Sequence, residues 1–485
     1  MPLPTIPSGN VFSSLPTGYT VANSCRFNDG DSPQLEMDMG DNPTLETKYS
    51  FSCWLKLGQL GTNRCILGEG VGLTAQGDFR IGTDDKLAIS ERLASEARYD
   101  ITTTRVFRDV GAWYNIILIF DSTQSTASDR VKIYVNGVRE TAFDGTPTYP
   151  AEAADSQMNQ GGALMQVGCQ HVHDGSFRNF MDGYMAEVVF IDGTAYAHTD
   201  FGEFDEDSPN IWKPKDVSSL TFGANGYYLD FEDSSNLGND ANGGTDFTET
   251  NLAATDQMID TPTNNFPVIN VLNNMASTQM VITEGNLHKS TQTSNYWDSV
   301  YGTMGASSGK WYYEMKITNV NSGDVGNMFI GIVDVDQMDN ATSGHYKFVN
   351  QSRGYGYFGQ NGNKDNNSSS SSFGGTWGAV DDIVGCAFDL DNLKIYFSKD
   401  GTWQNSGDPT SGATGTGSAY DLASGYTYLP AIGVHYGDDH FDLNFGSPIN
   451  TISSGNADGN GYGNFEYAVP SGYYALCTKN LAEYG

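Results

Sequence analysis

Apolar and polar residues alternate between Asp382 and Trp403, and this pattern predicts a β-hairpin. If Asp391 and Asn392 form a two-residue turn, opposed positions keep a constant sum along the hairpin. The pairs that then face each other are Leu390 and Leu393, Phe388 and Ile395, and Cys386 and Phe397. Because all of these residues are apolar, one face of the hairpin is predicted to cover a core.

The opposite face of the hairpin carries Asp389, Lys394 and Tyr396. A second tight turn is predicted at Asp400-Gly401, so the segment is typical of a β-meander. Further strands are predicted on both sides of it, at Ser308–Val320, Met328–Val333, Gly354–Phe358, Tyr428–Val434 and Phe441–Gly446.

The first half of the chain shows the same alternation. Phe51, Cys53 and Leu55 share one strand face, and the apolar run Trp113–Asp121 predicts a central strand. The segment Arg130–Val138 alternates before an Asn-Gly turn. Other predicted strands are Arg64–Leu67, Phe79–Ile81, Lys86–Ile89, Leu164–Cys169 and Met181–Asp192, and 142–162 is predicted to be a loop.

Composition supports a mostly β protein. Aromatic residues are 12%, charged residues only 17%, and there are 57 glycines among 485 residues, which favours short strands and tight turns over long helices. We therefore predict an all-β chain with two antiparallel β-sandwich (jelly-roll) domains joined by a partly structured connector.

The chain carries 25 basic and 59 acidic residues, a formal charge of −34. A phosphate backbone would be repelled by this charge, so direct nucleic-acid binding is not expected. The start of the chain has neither a basic nor an apolar signal region, and no apolar run is long enough to span a bilayer. We expect a protein made in a cytosol, without a signal peptide or membrane insertion.

Cysteine spacing gives no metal motif. The six cysteines are Cys25, Cys53, Cys65, Cys169, Cys386 and Cys477. Several lie inside predicted strands and none forms a CxxC pair, which favours buried free thiols over disulfides or a zinc site.

Two family resemblances follow from these motifs. The order FNDGDS, YSFSCWLKL, WYNIILIFD, RVKIYVNGV and MDGYMAEVVFIDGT resembles a laminin-G-like, concanavalin-type sandwich over about 21–195. The motifs GKWYYEMKI, GCAFDL, IYFSKDGTW, LPAIG and NFG resemble a SPRY domain over 285–447. The remaining segments are then an extended arm at 1–20, a connector with short strands at 196–284 and a C-terminal extension at 448–485.

The whole architecture resembles the laminin-G-plus-SPRY structural proteins of tailed, particularly marine, phages. DFGEF, NGYYLDFEDSSNLGND, DTPTNNFPVIN and VPSGYYALCTKNL carry this resemblance. It implies a virion location, other virion proteins as partners, and a homo-oligomer, a trimer by analogy.

Candidate chemistry is sparse. Asn28, Asp29 and Asp31 form an oxygen-rich turn, and the laminin-G resemblance implies calcium there. Calcium takes roughly six to eight oxygens from several segments. A metal-free Asx-turn is therefore the preferred interpretation and calcium the alternative, with no other cofactor expected.

Acidic residues and histidines form two further candidate patterns. Glu203, Asp205 and Asp207 alternate, as paired carboxylates of a retaining glycosidase would, but the following Ser-Pro favours a solvated loop. His171 and His173 share a strand face without a visible third metal ligand, and His435 and His440 are equally inconclusive. Surface or capping histidines are the preferred interpretation.

Loop aromatics are the remaining signal for binding. They are Tyr296, Trp297, Tyr355, Tyr357, Trp377 and Trp403. Exposed rings beside Asn and Asp suit sugars, which combine an apolar face with hydroxyls, although core packing explains most aromatics in sandwiches.

Three functions remain open. The first is a virion surface protein, a fibre, appendage or capsid decoration, that displays sandwiches for host-surface glycan or protein contact. The second is a purely structural cement or spacer of the virion. The third is a polysaccharide-degrading enzyme, but the absence of catalytic motifs such as GxSxG and HExxH favours a non-enzyme.

Overall fold

The computed structural model describes residues 18–40, 42–71, 75–93, 96–171, 176–273, 280–292, 295–338 and 346–485. The chain divides into two compact units, and the boundary lies between Thr263 and Asn264. The first unit here means the described residues up to Thr263, and the second unit means those from Asn264 onward. Most of the predicted arm 1–20 lies outside the described residues.

The strands of the first unit are β1 Ser24–Phe27, β2 Gln34–Asp38, β3 Lys48–Leu57, β4 Arg64–Val71, β5 Ala75–Ile81, β6 Lys86–Leu93, β7 Glu96–Val106, β8 Trp113–Asp121, β9 Val131–Val135, β10 Val138–Arg139, β11 Leu164–Val167, β12 Gln170–His171, β13 Phe177–Arg178, β14 Gly183–Asp192, β15 Gly202–Phe204, β16 Trp212–Pro214, β17 Tyr227–Leu229, β18 Thr248–Thr250 and β19 Gln257–Met258.

The strands of the second unit are β20 Val281–Thr283, β21 His288–Thr291, β22 Asp298–Tyr301, β23 Lys310–Asn319, β24 Met328–Asp334, β25 Gly354–Phe358, β26 Asn363–Asn366, β27 Ser369–Ser372, β28 Ile383–Asp389, β29 Lys394–Lys399, β30 Thr402–Trp403, β31 Tyr420–Asp421, β32 Tyr428–Val434, β33 His440–Asn444 and β34 Tyr474–Ala475. The α-helix is α1, Thr478–Tyr484. Short 3-10 helices occupy Asp29–Asp31, Ala127–Asp129, Gln157–Asn159, His198–Asp200, Ala254–Asp256, Val271–Asn273, Val335–Gln337, Phe348–Asn350, Gln404–Ser406 and Pro409–Thr414.

Two sheets build the first unit. One has the order β10-β9-β8-β3-β14-β1-β19, with β17 also paired to β14, and the other has the order β18-β2-β11-β4-β5-β6-β7. Phe51 lies opposite Leu118 in the register of β3 and β8, and both side chains are fully buried. Phe51, Cys53 and Leu55 belong to one core cluster, so their predicted shared face is confirmed.

Two sheets also build the second unit, in the orders β20-β21-β33-β23-β28-β29-β30 and β22-β32-β24-β25-β26-β27. Phe388 pairs with Ile395 and Cys386 with Phe397, as the sequence predicts. The described chain is thus almost entirely β, and the predicted fold of two sandwich-like domains is confirmed.

The turn of the predicted hairpin differs from the expected two-residue form. Pairing ends at Asp389 and Lys394, and Leu393 has the positive φ of 57°. The Asp389 carboxylate accepts hydrogen bonds from the backbone N–H groups of Asp391 and Asn392, at 3.1 and 2.8 Å. A side-chain cap therefore fixes a longer turn. The predicted turn at Asp400-Gly401 forms, with Lys399 paired to Thr402.

Segments predicted to be loops or connectors also join the sheets. The segment 361–377, for which the sequence predicts no strand, contains the β26–β27 hairpin. Within 196–284, β17 pairs with β14, β18 with β2 and β19 with β1. In the C-terminal extension, β34 pairs in parallel with β23. β18 and β19 pair with β2 and β1, which would otherwise lie at sheet edges, while β17 and β34 pair with parts of the interior strands β14 and β23.

A buried ion pair fixes one of these segments to the first unit. Lys56 alternates with core residues of β3 and points to the other face of the sheet, where its ammonium lies 2.6 Å from Asp260. The Trp113 indole N–H donates to the second Asp260 carboxylate oxygen at 3.0 Å. Burial lowers the pKa of Lys56, and Asp260 opposes this shift. Because neither charged group reaches water, each depends on the other for its stabilisation.

A second buried charge lies inside the first unit. Glu69 on β4 is fully buried, and neither of its carboxyl oxygens has a hydrogen-bond partner. Glu91 flanks the same inner face across Gly77, but it accepts hydrogen bonds from Tyr99 and from the backbone of Gln157, both at 3.0 Å. Burial raises the pKa of Glu69 well above its usual range, and Glu91 raises it further.

We expect Asp260→Asn to destabilise the first unit by about 3 to 5 kcal/mol, because it removes the carboxylate that lies 2.6 Å from the fully buried Lys56 ammonium. The measurement is urea unfolding of the full chain, followed by hydrogen exchange to assign the transition to this unit. The matched control is Asp144→Asn, which removes one of the two carboxylates paired with Lys86, at an exposed position, and should leave the transition unchanged. Equal effects of both variants would contradict the role of burial.

Glu69→Gln should flatten the pH dependence of stability. A carboxyl whose pKa is raised in the folded state stabilises the fold below its unfolded pKa, and this contribution is lost as pH rises through the folded pKa. Wild type should therefore lose up to about 1.4 kcal/mol per pH unit relative to Glu69→Gln above about pH 4.5. Unfolding at several pH values tests this, with the exposed Glu152→Gln as control.

Candidate functional site

Four aromatic side chains form a continuous row in the first unit, and we name them the ring platform: Tyr134, His198, Trp212 and Phe204. The Tyr134 and His198 rings stack at 4.3 Å between centroids and 8° between planes. His198 also stacks on Trp212 at 5.9 Å, and Phe204 meets Trp212 edge-on at 5.0 Å. Such geometries are the favourable ones for aromatic pairs.

Two glycines make room for the central ring. A Cβ atom at Gly137 would lie 2.2 Å from the Trp212 ring, and one at Gly202 would lie 2.5 Å from it. Gly137 also has a φ of 76°, as the Asn136-Gly137 turn predicted from the sequence requires. The Trp212 indole N–H donates to the Asn115 side-chain oxygen at 2.8 Å. Packing and this hydrogen bond therefore hold Trp212 in one position.

Side-chain caps position the other rings. Phe204 and Trp212 face each other in the β15–β16 ladder. The turn between them is closed by Asp205, whose carboxylate accepts from the backbone N–H groups of Asp207 and Ser208 at 3.0 and 2.9 Å. His198 begins a 3-10 helix in which the Asp200 carboxylate accepts from the Ala197 N–H at 2.9 Å.

The ring platform reaches the surface beside polar groups. Phe204 is 42% exposed, while Tyr134 and His198 are half-buried. The exposed Glu203 carboxylate lies next to Phe204 in β15, 3.5 Å from the Lys213 ammonium. Burial lowers the pKa of His198, against the opposing Asp200 carboxylate. Apolar rings beside carboxylate acceptors can stack on a sugar ring and bind its hydroxyls.

The acidic strand does not form an acid–base pair. Burial favours the neutral form of Asp205, but hydrogen bonds from Ser208 and Lys213 outweigh it, so the pKa of Asp205 is lowered. Lys213 bridges Asp205 and Glu203, and Asp207 lies in the turn. A retaining glycosidase needs one carboxyl with a raised pKa opposite an ionised one. Asp205 is therefore held in its ionised form and does not act as the proton donor of such a pair.

Three of the six aromatics predicted for ligand contact are buried. Tyr355 is 5% exposed, Tyr357 0% and Trp377 3%. Tyr357 packs against Phe397 at 5.4 Å, and its hydroxyl donates to the Gly375 carbonyl. Their expected exposure is wrong because β25 turns both tyrosines into the second unit, where glycine-flanked rings fill space between strands.

The other three predicted aromatics reach the surface to different degrees. Tyr296 is 45% exposed, whereas Trp297 and Trp403 are half-buried. The centroid of the Trp403 ring lies 6.3 Å from that of the Tyr312 ring. Trp297 packs against Phe329 and His435, at 5.1 and 5.2 Å. Tyr296 and Trp297 are neighbours in the sequence, whereas Tyr357 packs against Trp377 at 5.8 Å inside the second unit. The six residues therefore do not form one exposed site.

The predicted calcium turn is a short 3-10 helix at Asp29–Asp31. The Asp31 carboxylate accepts from the Asn28 side-chain amide at 2.8 Å. Asp29 instead interacts with Asp182, whose pKa is raised to about 7 by burial and by the Asp29 charge. Within the described residues, no three His, Cys, Asp or Glu side chains are grouped as a metal site. The carboxylates of this turn are not part of such a group. Calcium binding at this turn stays a prediction.

The histidines considered as metal ligands are not grouped into a metal site within the part of the chain that the structure describes. His171 is half-buried and packs against Phe177 at 5.1 Å, while His173 lies outside the described residues. His440 packs against His288 at 5.9 Å, and His435 against Tyr436 at 4.3 Å. All six cysteines are buried free thiols.

A groove of about 270 Å³ crosses the second unit beside Glu314 and Glu466. Its carboxylates already accept hydrogen bonds from the chain. Glu314 accepts from the Glu466 and Tyr467 N–H groups, and Glu466 accepts from the Ser453 N–H. The ring platform is therefore the better candidate for an external ligand.

The ring platform was not found from the sequence because its members come from separate segments, β9, the 3-10 helix at 198–200, and β15–β16. The motifs YVNG, AHTDFGEF and IWKP place aromatics beside glycine or acidic residues, but only pairing brings them together. Within the described residues, no helix is long and apolar enough to cross a bilayer.

Comparisons with known proteins agree with this fold. The concanavalin A-like lectin/glucanases superfamily model matches residues 29–197, and the SPRY domain model matches 310–447. A search of curated proteins finds no match.

Solved structures resemble single parts of the chain. The SPRY domain of human HERC1 has 14% identity and a TM-score of 0.26, and the match covers 34% of this chain and 90% of that one. A heptameric SAP-like pentraxin from Limulus polyphemus has 14% identity and a TM-score of 0.29, covering 38% and 82%. A Bacteroides ovatus protein named as a candidate carbohydrate binding protein has 16% identity and a TM-score of 0.33, covering 48% and 59%. The chain contains a concanavalin A-like lectin/glucanase domain followed by a SPRY domain.

Proposed function

We propose that this chain is a virion surface protein of a tailed phage that binds host-surface glycans through the ring platform of its first unit. The ring platform carries the proposal, because it is a packed row of aromatic rings that ends in the exposed Phe204 beside the Glu203 carboxylate, next to a lectin-type domain. Neutral glycans fit best, since a chain of charge −34 repels acidic ones at long range.

The virion role rests on the resemblance of the whole chain to phage structural proteins with the same two domains. In a virion the protein would be present in several copies, and a symmetric homo-oligomer would let weak glycan sites add by multivalency. We propose a binding role and no catalysis, because Lys213 bridges Glu203 and Asp205 beside the ring platform and helps to keep Asp205 ionised.

Phe204→Ala should weaken glycan binding by roughly 3- to 10-fold, the value of one aromatic stacking contact. The measurement is a glycan array with the full chain, followed by calorimetric titration of the neutral oligosaccharide that gives the strongest signal. Leu45→Ala, which truncates a similarly exposed apolar side chain of the same unit, is the matched control and should bind as wild type does. Unchanged affinity in Phe204→Ala would exclude the ring platform as the site.

Purified particles of the parent phage should contain the chain, and antibodies against it should label the virion and block adsorption to the host. Mass spectrometry and cryo-electron microscopy of the particles measure both. Labelling without any block of adsorption would favour a cement or spacer. Absence from purified particles would overturn the virion proposal. Release of reducing sugar that Glu203→Gln abolishes would instead indicate an enzyme.

A further inference from the structure

Three aromatic rings of the second unit surround one ammonium group. The Lys347 ammonium lies 4.1 Å from the centroid of Trp297, 5.4 Å from that of Phe329 and 5.9 Å from that of Phe358. The rings touch each other, with Phe329 stacked on Phe358 at 4.5 Å. We name these three rings the cation cage.

Hydrogen bonds fix the chain on both sides of Lys347, and two of the three rings are buried. The Tyr346 N–H donates to the Trp297 carbonyl at 2.9 Å, and the Phe348 N–H donates to the Ser299 hydroxyl at 3.1 Å. Phe329 is fully buried and Phe358 nearly so, while the Lys347 side chain is only half-buried. The rings therefore stay in place when the Lys347 side chain turns out into water.

The charge around the cage favours a cation. No carboxylate of the described chain forms a salt bridge with Lys347, so the rings are the main partners of its ammonium. Asp365 adds attraction from a greater distance, and its buried Oδ1 has no hydrogen-bond partner. Burial lowers the pKa of Lys347, and the negative Asp365 opposes this. Desolvated aromatic faces of this kind bind ammonium groups with about 2 kcal/mol or more.

We propose that the cation cage is a binding site for an organic ammonium group, and that Lys347 occupies it as an internal ligand that an external ammonium displaces. Two sources carry this chemistry, a free quaternary amine and a lysine side chain of a partner protein. The Lys347 side chain lowers the apparent affinity of the cage for an external ammonium, because that ligand binds only during the fraction of time in which the cage is empty. This site is independent of the ring platform, which lies in the first unit.

Tetramethylammonium binding to the full chain, followed by ligand-observed NMR titration, tests the proposal. Wild type should bind weakly, and Lys347→Ala should bind about tenfold more tightly because the internal ligand is gone. Lys479→Ala is the matched control, since Lys479 lies over the single ring of Tyr462 at 5.3 Å, and it should behave as wild type does. A lysine-containing peptide that binds more tightly than tetramethylammonium would identify a protein partner, and the reverse order would identify a free amine.

Two further measurements separate cation binding from simple filling of a hole. Adding Trp297→Leu or, as a milder change, Asp365→Asn to Lys347→Ala should weaken tetramethylammonium binding again. The neutral tert-butanol should bind less tightly than tetramethylammonium to Lys347→Ala. If Lys347→Ala gains no affinity for tetramethylammonium, or if tert-butanol binds equally well, the cage is only packing and the proposal is overturned.

Discussion

Both units depend on charged side chains buried on the outer faces of their sheets. In the first unit Lys56 binds Asp260, which brings the segment before Thr263 onto the sheet. In the second unit Glu314 accepts hydrogen bonds from the backbone N–H groups of Glu466 and Tyr467, at 2.9 and 2.8 Å. Each charge is costly to bury alone and is satisfied only when its covering segment is in place. Folding of the sheet and docking of the segment are therefore coupled.

A buried cation also holds a loop of the second unit in place. Lys289 is fully buried and donates to the carbonyls of Tyr436, Gly437 and Asp439 at 3.1, 2.9 and 2.6 Å. Burial lowers its pKa to about 8, against the attraction of Asp439. A cation that holds three carbonyls fixes an irregular loop that no strand pairing would hold. Such buried groups determine which path the covering segment takes more than they add to the net stability of the fold.

Strand positions could be predicted because the alternation of apolar and polar residues indicates which side chains face the core. Tyr428–Val434 and Gly354–Phe358 have the predicted bounds, and Phe388 faces Ile395 as expected. The hairpin in 361–377 was missed because its strands, Asn363–Asn366 and Ser369–Ser372, are wholly polar and lack the apolar alternation that indicates a strand. It joins the sheet because β26 pairs with β25. Exposure of Tyr355 and Tyr357 was misjudged because glycine neighbours are typical of both loops and crowded interior strands.

The candidate site could not be predicted for a related reason, since it belongs to a covering segment and not to the sandwich that the sequence describes best. Tyr134 lies within the lectin-type match at 29–197, but His198, Phe204 and Trp212 follow its end. Trp212 reaches the sheet only through Asn115 and the space above Gly137. A relative that keeps the sandwich but changes this segment would keep the fold and lose the ring platform. The proposed binding surface is therefore set by what covers the sheet, which is where function can change without cost to the core.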